Sequence, residues 1–176
     1  MRTFAEGLLA RLAHDLELAC DELSGTATRE GEGGSASIEA PLRGFEVAGV
    51  VAKDGRLDER GLSPTERRDC IAKMQHDVFH AGPEGVVRVE AHLDGDGKEA
   101  RIRVVPPNGK AFEAVVRADV RADGEDGKAV RATGSFELSL AAIGSDVVKG
   151  PMNAFRVKDR VKVTFDVVFV MRATAG

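Results

Sequence analysis

From Ser35 onward apolar and polar residues take turns along the chain. Ala36, Ile38, Ala40 and Leu42 alternate with Ser37, Glu39 and Pro41, and Val87, Val89, Ala91 and Leu93 with Arg88, Glu90 and His92. Phe112 to Val120 follows the same rule except at Val115, Val130 to Leu140 extends it, and Val161, Val163, Phe165, Val167, Phe169 and Met171 alternate with Lys162, Thr164 and Asp166. Successive strand side chains point to opposite faces, so each run forms a strand with one dry and one wet face. Parallel strands under helices would read as apolar on both faces, so the sheet is expected to be antiparallel. Further strands are predicted at Leu16–Leu23, Phe45–Val51 and Arg101–Val105. The total is about eight, a number that can close a barrel and remove exposed edges.

Turn chemistry separates the runs. Gly31-Glu32-Gly33-Gly34, Asp54-Gly55, Asp94-Gly95-Asp96-Gly97, Pro106-Pro107-Asn108-Gly109 and Asp123-Gly124-Glu125-Asp126-Gly127 supply the Gly and Asn that tight hairpins need. One segment breaks the period of two. Ser63-Pro64-Thr65-Glu66 combines a Ser cap, Pro in the first turn and a Glu that completes a capping box. Ile71, Met74 and Val78 then fall on one helical stripe, and Gly82-Pro83 is the expected stop, which predicts a helix over about 63–81. Phe4, Leu8 and Leu12 predict a short N-terminal helix.

The 176 residues form one domain in this reading, 1–176, with neither a linker nor a repeat. A chain this long buries about 70% of its unfolded surface. Lys and Arg number 25 against 29 Asp and Glu, a formal charge of −4, and Trp and Tyr are absent. That balance lacks the cationic footprint and stacking aromatics of a nucleic-acid binder. Glu6, Arg11, His14 and Asp15 interrupt the opening stretch, so neither a secretory signal nor a transmembrane segment is expected, and the chain reads as soluble and cytoplasmic. Cys20 and Cys70 have no CxxC spacing and are expected to be reduced thiols serving as small buried hydrophobes.

Chemistry-bearing patterns are few. His76-Asp77-Val78-Phe79-His80 copies the spacing by which two His one helical turn apart hold zinc, with Asp in place of the usual Glu base. The same residues serve equally as the polar, cation-favouring end of a helix. His14-Asp15 stands where the first helix is expected to pass into a strand, either as a junction pair or as a polar group at a cavity mouth. No phosphate-cradling loop opens a helix, no GxSxG surrounds Ser35 or Ser135, and no catalytic group, metal or cofactor is assigned.

The order of these features resembles the YceI-like family of lipocalin-like, polyisoprenoid-binding barrels. The matching residues are Gly7-Leu8-Leu9, His14-Asp15-Leu16, the helix within Leu62–Phe79, Phe136-Glu137-Leu138-Ser139-Leu140, Ile143-Gly144 and Arg156–Val163. Ala13 stands where members commonly carry Gly. The resemblance implies a mainly β fold, an antiparallel eight-stranded barrel with one helix. It also implies a non-enzymatic lumen for an apolar, chain-like partner such as an isoprenoid, quinone or fatty acyl group. Ile38, Val87, Val89, Ile102, Val116, Phe136, Leu138, Val163 and Phe165 are the expected lining, with His14 at the mouth. A homodimer is the protein partner considered, and two rival readings are a structural or interaction module with a filled barrel and a metal-dependent hydrolase using His76 and His80.

Overall fold

The computed structural model describes residues 1–6, 14–31, 33–95, 98–124, 129–150 and 154–170. Its strands are β1 (Arg2–Thr3), β2 (Ala5–Glu6), β3 (Asp15–Cys20), β4 (Ser24–Glu30), β5 (Gly33–Pro41), β6 (Phe45–Val51), β7 (Leu57–Asp58), β8 (Val86–Leu93), β9 (Glu99–Val105), β10 (Phe112–Asp123), β11 (Ala129–Ser139), β12 (Arg156–Val157) and β13 (Arg160–Val170). Helix α1 spans Pro64–Lys73.

All pairings are antiparallel, in the order β4-β5-β8-β9-β10-β11-β13-β1-β3-β6-β7. The two ends of that order are joined by the chain itself. β3 runs into β4 across Asp21–Leu23, and β5 runs into β6 through a 3-10 turn at Leu42–Gly44. These two bent strands pair along both halves, Cys20 opposite Phe45 and Ser24 opposite Glu39. Counted around the circle, the two bent strands with β1, β8, β9, β10, β11 and β13 make eight members, a lipocalin-like barrel.

Among the described residues the circle is complete only at the helix-bearing end. There β1 bridges β3 and β13, with Arg2 opposite both Glu17 and Lys162. Above Lys162, β13 pairs with β11 alone, and β4 pairs with β5 alone, so among the described residues two unpaired edges flank an opening in the wall. β10 adds a second irregularity by changing neighbours midway. Phe112–Arg117 pairs with β9, and Ala118–Asp123 pairs with β11.

The expected helix starts where its cap predicts. Ser63 Oγ accepts from the Glu66 N–H at 3.3 Å, and Glu66 Oε2 accepts from the Ser63 N–H at 2.8 Å. Its end differs. The coil widens into a π-type turn over Met74–Val78, and the chain leaves it at His80, whose φ of 47° lies in the left-handed region, two residues before the expected Gly82-Pro83 stop. The expected N-terminal helix falls mostly outside the described residues. Phe4 lies between the two short strands β1 and β2, where pairing with β3 and β12 satisfies the backbone, and Leu8 and Leu12 lie outside the described residues.

Met74, Val78 and Phe79 press on Leu42, Val87, Leu138, Leu140, Ile143 and Val161 to seal the helix-bearing end. Leu42, Ile143 and Val161 are fully buried. Arg67 fastens the connection into the helix by donating to the carbonyls of Val47 and Glu59. Hydrogen bonds from Ser63 hold the Glu66 carboxyl below the usual range, and one from His76, followed by Lys73, does the same for Asp77. A carboxyl with a lowered folded pKa stabilises fully above its unfolded value, about 4, and less as pH falls through the folded value. Thermal melts are therefore expected to drop between about pH 5 and pH 3. Glu66→Gln and Asp77→Asn should each flatten that acid limb, and an unchanged limb in both would refute the assignment.

Candidate functional site

The sheet's inner face divides the barrel into two halves of different character. Near the helix the inward side chains interlock, with Val87, Ile102, Val116 and Leu138 only 7%, 6%, 4% and 5% exposed. Away from it, the inward positions of paired strands remain apolar but half-exposed. Ile38 faces Val89, Ala36 faces Ala91, and Gly34 faces Leu93 on β5 and β8. Val120 faces Ala132, which faces Val167, and Val130 faces Phe169, across β10, β11 and β13. Ala36, Ala91, Ala118 and Ala132 are the small members of this half-exposed face. Among the described residues the result is a trough with apolar walls, open along the side between β4 and β13.

Gly134 and Phe165 mark the junction between the two halves. A Cβ on Gly134 would stand 2.5 Å from Phe165 Cζ and 2.8 Å from the Arg117 carbonyl oxygen, so the ring occupies the space that the missing side chain leaves. This is where β10 changes neighbours. Around the same joint lies an open groove of ≈ 1060 Å³, lined by Ala118, Gly134 and Phe165 together with polar residues such as Arg117, Asp119, Lys162 and Asp166.

The expected lining residues divide between the halves. Val87, Ile102, Val116 and Leu138 belong to the packed base, whereas Ile38, Val89, Phe136, Val163 and Phe165 are half-buried. His14 is exposed at the start of β3, and its neighbour Asp15 accepts from the Ala5 N–H at 2.9 Å. Leu93, Val120, Val130, Val167 and Phe169 were missing from the expected lining, although their alternation in register with named residues was a usable signal.

The zinc-like pair does not occupy one helix face. His76 lies on the π-type turn, its ring hydrogen-bonded to Asp77 at 3.0 Å and its side chain 90% exposed. His80 has already left the helix and bonds the Gly144 carbonyl at 3.1 Å. Both border an open depression of ≈ 570 Å³, and among the described residues no three His, Cys, Asp or Glu side chains converge. The metal-hydrolase reading loses its geometry because the helix ends before the second His. Both thiols are half-buried and burial raises their pKa, which weakens them as nucleophiles. Among the described residues no helix is long and apolar enough to cross a membrane.

An antiparallel barrel with one helix across its base and an apolar interior belongs to the lipocalin-like class. Solved structures narrow the class. A Campylobacter jejuni YceI protein superposes with a TM-score of 0.61 at 11% identity, over 89% of this chain and 85% of that one. Burkholderia cenocepacia BcnA gives 0.58 at 15% identity, over 96% of both chains. No family model and no curated protein matches the sequence. The chain has the YceI-like fold.

Proposed function

We propose that this protein binds an apolar, chain-like molecule of the isoprenoid, quinone or fatty acyl type in the half of the barrel remote from the helix, and performs no chemistry on it. The carrying observation is the inner face of that half. Paired inward positions on β5, β8, β10, β11 and β13 hold aliphatic, aromatic or glycine residues and stay half-exposed. No acid, base or nucleophile stands among them. Each methylene that such a surface removes from water is worth about 0.8 kcal/mol, so a chain spanning the trough would be held without a polar anchor. Half-buried Cys20 and Cys70 suit a reducing, cytoplasmic setting. A filled-barrel interaction module is the second reading, favoured by the packed base.

Titration with a fluorescent polyene fatty acid separates the two. Saturable binding is expected, together with lipid in an organic extract of the purified protein. Ala132→Phe, which fills the trough from β11, should weaken binding by roughly tenfold or more, on the order of 1.4 kcal/mol. Absence of saturable uptake by the unaltered protein would favour the filled-barrel module.

A further inference from the structure

Alternation fails at the free edge of β13. Its outward side chains are polar through Lys162, Thr164 and Asp166, and then become Val168 and Val170, 45% and 75% exposed. Val167 and Phe169 continue the inward row, so the last four residues are apolar on both faces, the pattern of a strand covered on both sides. Over the same stretch β13 is paired with β11 on one edge, and no described strand takes the other. Natural edges are normally blunted by charge, proline or shortness. Beyond Lys162 this one carries a single charge, Asp166, and Arg131 neutralises it through bonds of 2.6 and 2.7 Å. The opposite edge, β4, is rich in Ser, Thr and Gly and offers no comparable apolar surface.

We propose that the occupant is a second copy of this chain, joined by antiparallel pairing of β13 with its counterpart about a two-fold axis. The strand is complementary to itself in one register. Antiparallel neighbours present the same face, so a two-fold axis between identical strands must pass through a residue. An axis at Asp166 would set two carboxylates directly opposite, which is destabilising. One at Phe165 or below would run the partner into Lys162, whose edge β1 already holds. An axis at Val167 sets Phe165 against Phe169, Asp166 against Val168, and Thr164 against Val170, and no like charges meet. An axis at Val168 would engage fewer residues. The pairing leaves the inner face of the trough unobstructed and does not depend on what the trough binds. With seven residues a side (Thr164–Val170), the contact is small beside the roughly 20–30 of a standard interface, so the dimer dissociates on dilution.

Cysteine crosslinking tests the register. In Val167→Cys the two thiols face each other across the axis with Cα atoms about 5 Å apart, within disulfide range. In Val170→Cys the equivalent atoms lie about 20 Å apart. Mild oxidation is expected to convert Val167→Cys to a covalent dimer at least tenfold faster than Val170→Cys or the unaltered protein, whose Cys20 and Cys70 set the background; the tenfold threshold is on the order of 1.4 kcal/mol. Sedimentation of the unaltered protein should show a monomer–dimer equilibrium. A protein that stays monomeric up to about millimolar concentration, weaker than any specific pairing of use, overturns the proposal. So does a Val170→Cys that crosslinks as fast as Val167→Cys, which would point to another register or another surface.

Discussion

Leu42→Ala is expected to cost about 2–5 kcal/mol of stability, the range for leucine truncation in a packed core. Leu42 sits at the 3-10 turn where β5 bends into β6, fully buried against Met74, Val78, Phe79 and Val87. Its backbone is fixed from both sides. The Leu42 N–H donates to the Gly85 carbonyl at 2.8 Å, and its own carbonyl accepts from Gln75 Nε2 at 3.3 Å. With the turn pinned between the barrel and the helix, the surrounding side chains cannot collapse into the space left by the lost methyls, so the cavity term persists. For a chain of this size the melting temperature should fall by on the order of 10 °C. Leu23→Ala, at a residue 40% exposed in the neighbouring bend, should change stability by about 0.5 kcal/mol or less. If urea unfolding gives equal losses for the two variants, the helix-bearing end is not the well-packed base described above.

Gly134→Val is expected to be nearly as damaging, for the opposite reason. The new Cβ would meet the Phe165 ring at 2.5 Å and the Arg117 carbonyl at 2.8 Å. A ring can rotate aside, at the expense of exposing apolar surface. The carbonyl belongs to the residue at which β10 passes from β9 to β11, and it cannot retreat without breaking the adjacent Ala118–Gly134 pair. Overpacking of this kind costs about 1–3 kcal/mol and sometimes more. Adding Phe165→Leu should recover part of the loss, because the shorter side chain vacates the space over residue 134. A Gly134→Val protein as stable as the parent would show that the joint has slack.

The ring of strands was legible because one wet and one dry face leave a period of two wherever a strand covers the core. β4 escaped notice for the same physical reason. Ser24 to Arg29 are exposed, so no apolar alternation marks Ser-Gly-Thr-Ala-Thr-Arg, and the strand forms because β5 offers it a ladder. The helix's capping box announced its start. Its end depended on His80 accepting a left-handed conformation while its ring bonds Gly144, a tertiary contact that local spacing does not encode. Inward residues were recognisable, but not their division. Val116 and Val120 occupy equivalent places in the pattern of β10, yet one is 4% exposed and the other half-buried. The difference arises from what the helix and the Leu140–Ile143 turn press upon, and only the assembled fold supplies it.

The split between a sealed base and an open upper wall separates two burdens that most small proteins place on the same side chains. Residues such as Leu42 and Val161 carry the weight of folding, whereas Ala36, Ala91 and Ala132 bear little of it. Natural variation can therefore reshape the upper chamber, enlarging or narrowing it one substitution at a time, with the foundation left intact. The shape of that open half is free to drift while the scaffold endures.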